Sequence, residues 1–294
     1  MIKTILVPIA GTDADKSRLR AALAVARRFE AHLDVLHVRP DPAQLVATAA
    51  SAAYGVTELV AALIDQFEKD AQARLAAAQE TFAAFVKSEN LELRDHRAAA
   101  SSGASAAWLK QTGNAGECVA RLARLHDLVV AGRSRDSQEP ASGTLEIALM
   151  EGGRPVLVLS QEETPMLGRT IVIAWKDSAE AARAVLAAGP FLALADRIEV
   201  VVVSESKSGE DQLDRESAER LVESLAWRNC KASARVVPTR GDSAPEALLA
   251  AVRDLEGDLV VMGAYGHNRL REMIFGGFTR HVLRGADVPV LMFH

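Results

Sequence analysis

The chain has 294 residues, 49% apolar and 25% charged, with a formal net charge of −5. That profile suits a folded protein of two ordinary domains rather than a disordered chain, while the acidic balance gives no reason to expect binding to nucleic acid or an anionic membrane. Two cysteines, Cys118 and Cys230, have no CxxC partners; they support neither a zinc site nor a disulfide framework and point to a reducing cytoplasm.

The chain opens with an apolar run that ends at Pro8, too short to span a membrane and followed by no small-residue cleavage site. A helix follows with Leu19, Leu23, Ala26 and Phe29 on one stripe. Residues 33–38 read as a strand buried on both faces, with His37 as a satisfied core histidine. A long helix then places Val60, Leu63, Ile64, Phe67, Ala71, Leu75, Ala78, Phe82 and Phe85 on one face. Residues 128–131 and 156–159 are two further short apolar strands. Residues 161–168 form a linker, and the same series begins again.

Lys3-Thr4-Ile5-Leu6-Val7-Pro8 matches Arg169-Thr170-Ile171-Val172-Ile173-Ala174. Residues 126–132 match 257–263, and Arg154-Pro155-Val156-Leu157-Val158 matches Val288-Pro289-Val290-Leu291-Met292. Three matched segments in one order mark an internal repeat. Strand–helix alternation in each copy predicts α/β architecture: two tandem open five-stranded parallel sheets, residues 1–160 and 169–294, with helices on both faces. In the second copy, residues 198–203 and 259–262 are strands, and Leu213, Leu221, Val222 and Leu225 face the core from a shorter helix. The last strand of each copy carries no charge to blunt an edge, so the two are expected to pair with one another as an intrachain pseudo-dimer.

After its fourth strand the second copy reads Gly263-Ala264-Tyr265-Gly266, then nine residues, then Gly276-Gly277-Phe278-Thr279. Gly263 ends a buried strand at its carboxyl edge, where open α/β sheets bind ligands. Gly266 permits a turn at positive φ, and Gly276 and Gly277 precede a helix whose free N–H groups suit an anion. His267, Arg269 and Arg271 in the loop, with Arg280, His281 and Arg284 beyond it, form either a basic rim or an ordinary charged surface. The first copy departs from this pattern: Gly132-Arg133-Ser134-Arg135 lacks the second glycine, and its arginines read as an anion site or, more simply, as solvated loop residues.

The spacing G-x-x-G-x9-G after the fourth strand, the Ile-Leu-Val-Pro opening, the Gly241-Asp242 pair and Asp-Leu-Val-Val-Met-Gly at 258–263 resemble the universal stress protein family, twice over nearly the whole chain. The resemblance implies a Rossmann-like, adenine nucleotide alpha hydrolase-like fold, tandem or dimeric assembly, and a stress-response binding protein rather than a dedicated enzyme. It also implies an adenine nucleotide (ATP, ADP or AMP, with or without Mg) in the second copy. Ala174, Trp175 and Val203 would border the adenine; Gly263, Gly266, Gly276, Gly277 and Thr279, with His267 and Phe278 beside them, would meet the phosphates. The family's aspartate after the first strand is replaced by Ala10 and Lys176, and Gly277 stands where the family has Ser or Thr. Lys176 either reaches a phosphate or fills the site. Asp177 and Asp242 are read as metal ligands on a bound nucleotide or, better, as helix N-caps.

No Walker A, GxGxxG, HExxH or GxSxG motif is present. The expectation is therefore no efficient turnover, at most weak ATP hydrolysis, with an unidentified protein partner and the possibility of a homodimer. The alternative is a nucleotide-independent interaction module.

Overall fold

The computed structural model describes residues 1–41, 57–94, 103–133, 141–160, 167–204, 210–239, 241–264 and 277–294. Gly266, His267 and Gly276 lie outside the described residues, as do Arg135, Arg269 and Arg271. The first copy comprises β1 (Thr4–Ile9), α1 (Ala14–Phe29), β2 (His32–Arg39), α2 (Thr57–Glu89), β3 (Glu92–Leu93), β4 (Ser105–Thr112), α3 (Ala115–Ala123), β5 (Leu128–Ala131), α4 (Ala141–Glu151) and β6 (Val156–Val158). The second comprises β7 (Thr170–Ala174), α5 (Ala179–Ala187), α6 (Gly189–Leu192), β8 (Arg197–Ser204), α7 (Glu210–Ala226), β9 (Ala232–Pro238), α8 (Ala244–Asp254), β10 (Leu259–Gly263), α9 (Gly277–Gly285) and β11 (Val290–Phe293).

The eleven strands among the described residues join one sheet in the order β3-β4-β2-β1-β5-β6-β11-β10-β7-β8-β9. Within each copy every pairing is parallel, as helical crossovers require. The seam is antiparallel: Val158 lies opposite Val290, Leu157 opposite Leu291 and Val156 opposite Met292. The two uncharged terminal strands therefore bury each other's edges, as their composition anticipates. The first copy carries one strand more than the five expected, the two-residue β3 added outside β4.

Alternation along the strands gives each face its own core, and both cores run across the seam. Ile5, Val7, Leu157, Leu291, Ile171 and Val261 pack under α1, α2, α5, α6 and α7. Leu6, Val129, Val156, Val290, Val260 and Met262 pack under α3, α4, α8 and α9. The α1 stripe is buried as expected, and so are Ala71, Leu75, Ala78, Phe82 and Phe85 of α2. Ile64 and Phe67 are only half-buried, while the side chains of Val60 and Leu63 lie outside what the structure describes. On α7, Leu225 is buried but Leu213 is 68% exposed, so the predicted apolar face does not reach the start of that helix. The copies also touch through Arg28, which donates to the carbonyls of Leu167, Gly168 (3.2 Å) and Leu194 (2.8 Å).

Candidate functional site

The connection from β7 runs to β8 on one side, and that from β10 runs to β11 on the other. Their carboxyl ends thus flank a topological switch point, the place where open α/β sheets leave a crevice. Ala174, Trp175 and the exposed Lys176 lie at one lip, and Gly263 at the other. Gly263 has a packing reason of its own. A Cβ there would stand 2.7 Å from the Ala181 nitrogen and 2.7 Å from the Glu180 carbonyl carbon, so only glycine lets the first turn of α5 approach β10 this closely.

The residues expected to border an adenine are divided between the two faces. Ala174 and Val203 pack on the α8/α9 face, whereas Trp175 packs on the α5/α7 face and donates its indole N–H to the Ser217 hydroxyl at 2.9 Å. Pleating forces the split, because consecutive side chains leave a strand on opposite sides. Trp175 is thus tied to α7 and is not paired with Ala174.

The first turn of α9 lies on the same face as Ala174 and Val203. Gly277 and Phe278 are exposed there, while Thr279 is only 5% exposed and belongs to the buried side of the helix. A Cβ on Gly277 would meet nothing within 4 Å among the described residues. Gly277 and Phe278 share a hollow of about 490 Å³ with Thr239, Asp242, Ser243, Ala244 and Pro245. A second hollow of about 420 Å³ is lined by Gly277, Arg280, His281, Arg284 and Gly285. The starts of α8 and α9 therefore face one space, and their N-terminal dipole ends favour negative charge in it. Neither hollow is lined by Trp175, Lys176 or Gly263.

The N-cap roles expected of Asp177 and Asp242 belong to the next residue in each case. The Ser178 hydroxyl accepts from the Ala181 N–H at 3.3 Å. Ser243 opens α8 in a capping box with Glu246, whose carboxylate accepts from the Ser243 N–H at 2.9 Å and hydroxyl at 2.6 Å. Those two bonds hold the Glu246 carboxyl below the usual carboxylate range. Asp242 instead lines the hollow beside Gly277.

The matching crevice of the first copy is filled by its own side chains. The buried Asp15 carboxylate accepts from the N–H groups of Gly11 (2.7 Å), Thr12 (2.9 Å) and Ala10 (3.2 Å), and pairs with Arg18 at 2.9 Å. Arg18 also donates to the Pro8 carbonyl at 2.8 Å, and its guanidinium lies where a Cβ on Gly132 would come within 2.5 Å of it. Gly132 and Gly263 are matched positions, but one faces a guanidinium and the other a helix backbone. The Asp15-x-x-Arg18 spacing, one turn of helix, was the available sequence signal. Arg133 is neither an anion site nor a solvated loop arginine: it donates to the carbonyls of Ala286 and Val288, the latter at 2.8 Å. Sequence periodicity cannot report a contact of that range.

A buried polar network also left no mark in the sequence pattern. On β2, Asp34 accepts from His126 Nε2 at 2.8 Å and from His32 Nε2 at 3.3 Å; His32 Nδ1 meets the Ser105 hydroxyl at 2.8 Å and His126 Nδ1 the Leu122 carbonyl at 2.8 Å. Burial opposes ionisation of Asp34, but the two imidazoles outweigh it and hold the carboxyl well below its ordinary range. The network sits at the amino ends of the strands, away from the crevice. His37 is buried, as expected, with Nδ1 on the Ile9 carbonyl at 3.2 Å and its ring stacked on Trp108. Its Nε2 has no partner among the described residues, so it is satisfied at one nitrogen only, and burial pushes the imidazole down. Cys118 and Cys230 are free thiols, and no group of His, Cys, Asp and Glu suited to a metal occurs among the described residues.

Residues 1–135 and 168–294 each match the family model described as the universal stress protein family. The chain belongs to the universal stress protein family. One matched segment falls in each of the two copies seen in the sheet. The universal stress protein Slr1230 of Synechocystis sp. PCC 6803 is 27% identical over 195 residues, covering 63% of this chain and 64% of that relative's length. A universal stress protein of Archaeoglobus fulgidus DSM 4304 superposes with a TM-score of 0.66 at 16% identity, over 99% of this chain and 95% of that one. The functionally unknown protein PA1789 of Pseudomonas aeruginosa PAO1 gives a TM-score of 0.56 at 14% identity, over 99% and 92%. At those identities the two structures establish the tandem fold. No helix among the described residues is long and apolar enough to cross a membrane.

Proposed function

We propose that this universal stress protein binds an adenine nucleotide in its second copy and acts by ligand-biased stability or partner binding rather than turnover. The observation that carries the reading is the start of α9. Gly277 opens a nine-residue helix at the carboxyl edge of the sheet, and no described residue lies within 4 Å of where a Cβ would stand. N–H groups of that first turn have no helical partner, and Arg280 and Arg284 add positive charge along the adjoining hollow, which His281 also lines. A phosphate suits this wall. Ala174 and Val203 supply an apolar surface on the same face, and Lys176 brings a cation to the lip of the crevice. Magnesium on the nucleotide would supply charge neutralisation, and Asp242 is a carboxylate that lines the wall. The first copy is assigned a structural role, because Arg18 and Asp15 fill its crevice.

One observation favours the nucleotide-independent interaction module instead: the hollows at α9 do not extend to Trp175 and Lys176. Calorimetric titration of the full chain with ATP, ADP and AMP, with magnesium present, separates the readings. The nucleotide reading expects one site per chain, lost in Gly277→Val, a variant whose Cβ meets no described residue within 4 Å. Absence of heat with all three ligands, or undiminished binding by Gly277→Val, rules it out.

A further inference from the structure

Gly132 and Gly263 stand at matched positions, but the next residue differs: Arg133 in the first copy, Ala264 in the second. Because the seam is antiparallel, the carboxyl edge of the first copy lies beside the amino end of β11. Ala131 is level with Val158 of β6, and Val158 faces Val290. The Arg133 side chain crosses this seam. Its Nη1 donates to the Ala286 carbonyl and its Nη2 to the Val288 carbonyl at 2.8 Å. Ala286 is the first residue after α9 and Val288 lies two residues further on, in the turn that leads to β11, so the guanidinium sits at the negative end of the helix dipole. Burial pulls the Arg133 guanidinium down to about 10, partly offset by Asp287, which leaves it cationic at neutral pH. Ala264 makes no such reach. Its N–H goes to the Phe293 carbonyl at 2.8 Å, and its own carbonyl meets His294 at 3.1 Å, both inside the second copy. From this position the first copy holds a helix of the second, with no reciprocal hold.

We propose that Arg133 is a positioning residue for the anionic ligand of the second copy. It fixes the carboxyl end of α9 and so sets where the Gly277 end points. The inference rests on the nucleotide reading above. A helix of nine residues is a rod about 14 Å long. Val282 and Leu283 seat it on the sheet, so a shift at one end is felt at the other. The first copy, although its own crevice is filled, thereby orients the ligand-binding face of its neighbour.

The test compares the full chain with Arg133→Ala, Arg133→Lys and the control Arg154→Ala. Arg154 is an exposed arginine that donates to the Arg124 carbonyl at 3.1 Å within the first copy. Binding of magnesium–ATP is measured by calorimetry well below the lowest melting temperature of the set. A purely structural loss leaves the affinity of folded chains unchanged there. The expected result is affinity weakened about tenfold in Arg133→Ala, within the usual range of site-to-site coupling. Arg133→Lys should fall between and Arg154→Ala should match the unaltered chain. Amide hydrogen exchange should quicken in α9 and not in α3. Equal affinity in the unaltered chain and Arg133→Ala overturns the positioning role and leaves the nucleotide reading standing. No binding by the unaltered chain overturns both.

Discussion

Phe29 and Phe191 meet edge to face, with ring centroids 5.0 Å apart and planes at 85°. One closes α1 of the first copy and the other lies in α6 of the second, so helices that follow the first strand of each copy touch across the pseudo-dimer. Together with the β6–β11 pair, this contact makes the two copies one continuous core.

Truncating either ring should therefore destabilise the whole chain. Phe29→Ala and Phe191→Ala are each expected to cost about 3–5 kcal/mol. The double variant should show coupling of about 0.5–1.5 kcal/mol beyond additivity, the range for aromatic pairs. Urea unfolding of the four chains measures both. Strict additivity would mean the rings act independently.

Gly263 at the end of β10 and Gly277 at the start of α9 should respond differently to an added methyl group. Gly263→Ala drives a Cβ into backbone atoms of Glu180 and Ala181, and should cost about 1–3 kcal/mol through displacement of α5. Gly277→Ala meets nothing within 4 Å among the described residues and should leave stability within about 1 kcal/mol of the parent. Thermal unfolding of the apoprotein decides this, and equal effects would contradict the assigned packing roles.

Arg18 neutralises a fully buried carboxylate. Arg18→Ala strands Asp15 and should cost about 3 kcal/mol, the lower end for breaking a buried pair, because three backbone N–H groups still hold the carboxylate. Adding Asp15→Asn should recover part of the loss in denaturant titrations. A double variant as weak as the single one would argue that Arg18 acts by packing alone.

Asp34 should make stability depend on acid. Its folded-state carboxyl lies below the unfolded value of 3.8, so its contribution is complete above that value and is lost as the pH falls through the folded one. The stability gap between the parent and Asp34→Asn is the quantity to follow on acidification. Below pH 4 it should shrink, by up to about 1.4 kcal/mol per pH unit. Unfolding curves across that range test it; a gap that widens on acidification is the contrary result.

The repeat was legible because buried strands on a parallel sheet are near-continuous apolar runs, and two such series in one order are easily matched. The seam was legible for a related reason: Val156-Leu157-Val158 and Val290-Leu291-Met292 carry no charge, so an exposed edge would be unfavourable. The candidate site was only half legible. Glycine spacing located the end of β10 and the start of α9, but not that Gly263 is required by α5, that Trp175 turns to the face opposite Ala174, or that Thr279 is buried. Each depends on which side of a strand or helix a residue takes, a phase that composition does not fix.

The sequence by itself determined two α/β units, their order of elements and the strands that join them, because local periodicity and apolar runs record which faces must leave water. Tertiary structure alone decided what fills each crevice and how one copy grips the other. Arg18 beneath Gly132 and Arg133 on Val288 join residues over distances along the chain that no periodic signal spans. The Arg133 guanidinium finds the Val288 carbonyl only after the sheet has brought them within hydrogen-bonding range.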